Sequence, residues 1–100
     1  MSRTSVPSSH QRILLVVPTE REFAALASGI HGQPAAPATR WTPIEASERV
    51  SVLMCGIGKA NAAGAAAAAL AAGRYEAVIC MGVAGSLDQS LGLGEVVAAS

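Results

Sequence analysis

Three short aliphatic runs, at residues 13–17 (ILLVV), 49–54 (RVSVLM) and 77–81 (AVICM), alternate with helix-favouring stretches, and each is followed within two residues by proline or glycine. A run of about five apolar residues bounded by turn residues has the pattern of a strand covered on both faces, as in parallel sheets flanked by helices. Consecutive parallel strands need crossover connections, and the intervening segments are long enough to supply them. The alternation therefore predicts an α/β fold: a mixed, largely parallel central sheet flanked by helices.

The first connection carries a helix signal. Thr19 is an N-cap residue and Glu22, three positions later, completes a capping-box pattern. A helix over 20–28 places Phe23, Leu26 and Ala27 on one side at helical spacing, and Gly29 suits its end. Residues 30–43 contain Gly32, Pro34, Pro37 and Pro43 and read as a loop, with Trp41 placed to anchor it. His31 falls in that loop. A second helix is expected over 60–72, where nearly every residue is alanine, with Gly73 as its stop. Residues 82–85 form a sharp turn, 87–94 a polar loop, and 95–99 a fourth strand. The Ser-rich stretch 1–11 reads as a disordered lead-in, leaving 12–100 as one domain; 100 residues suffice for a single core.

Composition removes several classes of function. The seven Lys and Arg residues balance seven Asp and Glu, and the cations are scattered, so there is no basic face to displace counterions from a nucleic acid. No apolar stretch reaches the roughly 18 residues of a membrane helix, and residues 1–11 lack the apolar core of a signal peptide, which points to the cytoplasm. Cys55 and Cys80 have neither the number nor the spacing of a disulfide framework or zinc site; each closes an apolar run and reads as a buried small hydrophobe. Neither His10 nor His31 suggests a metal.

Right-handed crossovers bring the segments that follow parallel strands to one edge of the sheet, and ligands bind there. Three turns qualify: 18–22, 56–61 and 82–88. The middle one, strand–Gly56-x-Gly58–helix, resembles a dinucleotide fingerprint, but Asn61 replaces the third glycine. Glu76, the only acid at a suitable distance, precedes its strand and would sit at the opposite edge. A phosphate loop fits no better, because Ala60 follows Gly58-Lys59 where Ser or Thr is required. No cofactor is implied.

Taken together the three turns are more specific. The opening 13–23 with its PTEREF, the CGIGKANAA turn at 55–63, and CMGVAGSLDQSLGL at 80–93 followed by Gly94-Glu95-Val96-Val97 occur in an order and spacing that resemble the purine nucleoside phosphorylase and nucleosidase family. The resemblance implies cleavage of an N-ribosidic bond through an oxocarbenium-like sugar. Glu22 is similar to the carboxylate with which the hydrolases of the family activate water, although a capping partner of Thr19 is the purely structural role for the same residue. Gly82, Val83, Ala84 and Gly85 resemble the loop against base and ribose, where small residues let the backbone approach a ligand, with Gly85 as the expected point of substrate contact. Thr19 resembles a position near the ribose or its 5′ side. Lys59 is assigned a helix-terminal role and Asp88 that of a solvated loop acid.

Phosphorylases of this family hold phosphate with an Arg two residues before the first glycine of that loop and a Ser or Thr after it; here Cys80 and Val83 stand in those places. Glu22 occupies a position where such enzymes tend to place another phosphate-binding Arg, and a carboxylate repels phosphate. The reading is hydrolysis, with Arg21 as the one cation able to swing toward a phosphate. Pro18-Thr19 and Asn61-Ala62-Ala63 look like futalosine hydrolases of an alternative menaquinone pathway. A methylthioadenosine/S-adenosylhomocysteine nucleosidase, a nucleoside phosphorylase and an inactive truncated fragment remain as alternatives. By the resemblance, a ribose-binding Met-Glu segment and the acid that protonates the base lie beyond residue 100. The implied partners are a small-molecule nucleoside and further copies of the chain in a homo-oligomer, with no nucleic acid or membrane.

Overall fold

A computed structural model describes residues 12–32 and 37–99; the expected lead-in at 1–11 lies outside them. The branched runs form strands where the pattern placed them: β1 (Ile13–Val17), β3 (Val50–Met54) and β4 (Ala77–Cys80). A two-residue strand, β2 (Ile44–Glu45), precedes β3. The sheet order is β2-β3-β1-β4. β1 lies parallel to both β3 and β4, with Leu15 opposite Val52 and Ile79, while β2 pairs antiparallel with β3. The fold is mixed α/β, as the alternation predicts.

Helix α1 (Glu20–His31) connects β1 to the β2–β3 hairpin, and α2 (Lys59–Ala72) connects β3 to β4. Successive strand residues point to opposite faces, and the core divides accordingly. Leu15, Val17 and Val52 face α1 and pack with Phe23 and Ala27; Leu14, Val16, Leu53 and Cys55 face α2 and pack with Ala65 and Ala69. Phe23 and Leu14 are fully buried; burying a side chain of this size contributes about 1.5–3 kcal/mol.

Four expectations need correction. Helix α1 does not end at Gly29 but runs on to His31, where Gly32 at φ 78° donates its N–H to the Ser28 carbonyl oxygen. Glycine inside a helix costs only about 1 kcal/mol, whereas the left-handed cap needs a residue without Cβ, and Gly32 meets that need. His31 is therefore the last helical residue, not a loop residue, with Nδ1 3.1 Å from the Ala46 carbonyl oxygen. Residues 95–99 form no strand, because no neighbouring segment among the described residues pairs with them. Finally, β4 is exposed along its whole length, and with it Cys80, contrary to a run covered on both faces. The buried residues of α2 pack over β1 and β3, leaving β4 at the sheet edge uncovered.

Among the described residues, no helix is long and apolar enough to cross a membrane.

Candidate functional site

With β1, β3 and β4 parallel, their following turns share the carboxyl edge of the sheet. Backbone bonds fix each turn to its neighbour: the Cys55 N–H donates to Val17 O, and the Met81 N–H to Val16 O, both at 2.9 Å. Glu76, by contrast, precedes β4 and donates its N–H to Arg12 O at the amino edge, far from the Gly56 turn, so the acid of a dinucleotide site is misplaced.

At the head of α1, Thr19 is the N-cap in extended conformation, its Oγ1 accepting the Glu22 N–H at 3.3 Å. The Thr19 hydroxyl in turn donates to Glu22 Oε1 at 2.7 Å. The capping-box partners therefore meet, but the carboxylate takes the hydroxyl instead of turning back on the N-cap amide. That leaves Oε2 free to reach outward, where it accepts the backbone N–H of Val83 at 2.9 Å, across 61 residues of sequence. Glu22 and Thr19 are half-buried, and a carboxylate with one oxygen on a hydroxyl and one on an amide is held in a defined orientation.

The structure thus brings Thr19, Glu22 and Val83 together. Ala84 and Gly85 continue the loop in exposed positions, and Gly85 has no neighbouring atom within 4 Å of where a side chain would begin. Glu22 Oε2 also fills the place of a side chain at Gly82, where a Cβ would stand 2.8 Å from it.

The middle turn adjoins the same edge. Gly56 (φ 94°) and Gly58 (φ 98°) occupy conformations that need glycine. Arg40 covers Gly56, its guanidinium donating to Asn61 Oδ1 at 2.7 Å, and Trp41 donates its indole N–H to Cys55 O at 2.9 Å. No local pattern marks Arg40 for this contact, whereas Gly64, a lone glycine in an alanine helix, marks the place where the Trp41 ring lies. Burial pushes the Cys55 thiol above its ordinary value, with smaller upward contributions from Cys80 and Glu22. Lys59 is exposed in the first turn of α2, and Arg21 is exposed on α1.

Beyond Gly85 the loop orders itself locally. Asp88 Oδ1 accepts both the N–H and the hydroxyl of Ser90, which hold its carboxyl below the usual range. Among the described residues no group of three His, Cys, Asp or Glu is arranged to hold a metal ion. Two depressions lie away from the carboxyl edge, around Pro43, Gly73 and Tyr75. In one of them Arg12 bridges Glu45 and Ser51, at 3.0 and 2.7 Å, beneath the Tyr75 ring.

A family model described as the phosphorylase superfamily matches residues 12–100. No curated protein and no solved structure matches the chain.

Proposed function

The chain belongs to the phosphorylase superfamily, and from that premise we propose that it serves hydrolysis of the N-ribosidic bond of a nucleoside, with futalosine as the substrate and Glu22 as the group that activates water. The family implies a small-molecule nucleoside substrate. The observation that carries the hydrolytic reading is the placement of Glu22: its carboxylate lies at the carboxyl edge, one oxygen on Thr19 and the other on Val83 N–H. A general base must be held within hydrogen-bond reach of the water it deprotonates, and an oriented carboxylate at the mouth of the sheet meets that condition. Phosphate would need cations and hydroxyls here, and the loop offers Cys80 and Val83.

In this reading Glu22 draws a proton from water as the water oxygen attacks the anomeric carbon. The bond from that carbon to the base nitrogen breaks, its electron pair leaves with the base, and that nitrogen takes a proton from the acid that the resemblance places beyond residue 100. Val83, Ala84 and Gly85 present backbone to the base and ribose, and Thr19 fixes the carboxylate beside the sugar. In this reading the protein works in the cytoplasm as a homo-oligomer, and sedimentation at two concentrations tests the assembly.

The assay measures free base released from futalosine, methylthioadenosine and inosine, with and without inorganic phosphate. For a protein that also carries the Met-Glu segment and the base-protonating acid of the resemblance, phosphate-independent release, fastest from futalosine, is the expected result. Faster release from methylthioadenosine would replace the substrate and keep the chemistry; release only with phosphate would overturn hydrolysis. No release from any of the three would return the chain to the inactive alternative.

A further inference from the structure

Gly82 is not a glycine its backbone requires. The described glycines with positive φ are Gly32, Gly56, Gly58 and Gly94, so residue 82 has a conformation open to any L-residue. What forbids a side chain is space. A Cβ at this position would stand 2.8 Å from Glu22 Oε2, while its next neighbours, Pro18 Cδ and Cγ, are at ordinary distances of 3.6 and 3.7 Å. The single obstacle is the far end of a flexible side chain. A methyl group at 82 is therefore tolerable to the fold and intolerable to one carboxylate oxygen.

We infer that Gly82 is a positioning residue for Glu22: the missing side chain leaves the volume in which Oε2 reaches the Val83 N–H. The inference rests on the proposed role of Glu22 in activating water. The geometry gives it a size. Ordinary contact begins at 3.4 Å, so a methyl group forces Oε2 back by roughly half an ångström or more, off a 2.9 Å hydrogen bond whose strength depends on distance and angle. Displacements of about 1 Å at a reacting group can cost on the order of 10²-fold in rate. The consequence is specific to orientation, since Gly82→Ala removes neither the carboxylate nor the amide. Thr19 still anchors Oε1, so the carboxylate swings about that contact instead of leaving the site.

Two measurements test it, one of them independent of turnover. In amide NMR spectra recorded across pH, the Val83 proton of the unaltered protein should follow the titration of one carboxylate. Glu22→Gln should abolish that response and Gly82→Ala should reduce it at least twofold. A Val83 resonance in Gly82→Ala that keeps its original position and full response would overturn the inference. In turnover, Gly82→Ala should lower kcat about tenfold or more with KM changed less than threefold, and should lower it no further in the Glu22→Gln background. Equal losses in both backgrounds would also overturn it. If the unaltered protein releases no base, the proposed activity fails while the amide measurement still decides the role of Gly82. Should Gly82→Ala fail to fold, the double variant Glu22→Ala/Gly82→Ala decides: with no carboxylate to strike, it should fold, and its failure would place the conflict elsewhere.

Discussion

Trp41 lies across the one gap in the alanine surface of α2: a Cβ on Gly64 would come within 2.5 Å of Trp41 Cη2 and 3.0 Å of Cζ2. In an exposed helix interior, replacing glycine by alanine stabilises by about 1 kcal/mol. Here the added methyl group must push the ring away, and the ring is held by an indole N–H bond to Cys55 O at 2.9 Å of about 1 kcal/mol net. Gly64→Ala should therefore give no gain in urea denaturation, and emission from Trp41, the only tryptophan, should shift to the red. In a Trp41→Ala background the same change should stabilise by about 1 kcal/mol. A gain of that size with Trp41 in place and its emission unmoved would refute the contact.

Two glycines of α1 should respond with opposite signs. Gly29 lies inside the helix with nothing within 4 Å of its missing Cβ, so Gly29→Ala should stabilise by about 0.5–1 kcal/mol. Gly32 has equal space but a φ of 78°, and Gly32→Ala should destabilise by about 1 kcal/mol. Thermal unfolding of both variants checks the assignment of the helix end. Equal effects would mean that the helix stops where Gly29 suggested.

The two cysteines should separate by reactivity. Burial raises the Cys55 pKa, so at a given pH less of it is thiolate, and little of it is accessible. Iodoacetamide at mildly alkaline pH should alkylate exposed Cys80 first, and Cys55 only as the chain unfolds. By the sign of the shift, any native-state labelling of Cys55 should still be rising at a pH where an ordinary thiol has levelled off. Equal labelling rates, read by mass spectrometry of the two peptides, would contradict the burial of Cys55 against α2.

Most of the frame was legible because it depends on local pattern. Ile13–Val17 reads as a two-face-buried strand from its side chains alone, and Thr19 with Glu22 marks a helix start through three-residue spacing. Features set by distant partners were not legible. Strand β2 is two residues long and exists because Ile44 and Glu45 lie beside Val52 and Ser51; no periodicity can announce two residues. The runs at 77–81 and 95–99 look alike in composition, yet only the first has β1 beside it. At the candidate site the sequence placed Glu22 and the 82–85 loop at one edge, since both follow parallel strands. It did not distinguish Gly82 and Val83, which meet the carboxylate, from Gly85, which does not. That choice depends on ångström-scale distances.

Thr19 and Glu22 share a hydrogen-bonded unit, so their roles as cap and as chemistry must be separated by variants that divide them. The cap proper is the Glu22 backbone N–H on Thr19 Oγ1. Thr19→Ala removes it and should cost about 1 kcal/mol of stability. Glu22→Gln leaves that bond intact, because the donor is backbone, and the amide oxygen of glutamine can still accept the Val83 N–H. Its effect on stability should therefore stay within about 0.5 kcal/mol. Glutamine cannot take a proton from water, so if Glu22 is the base, base release should fall about 10²-fold or more. Thr19→Ala should lower turnover less, through looser orientation of a carboxylate that keeps its Val83 bond. The two variants thus predict a crossed pattern, Thr19→Ala worse in denaturation and Glu22→Gln worse in turnover, measured on one preparation of each. Near-normal turnover in Glu22→Gln would leave Glu22 as the capping partner that its spacing from Thr19 first suggested, and the water-activating group would have to be sought elsewhere on the carboxyl edge.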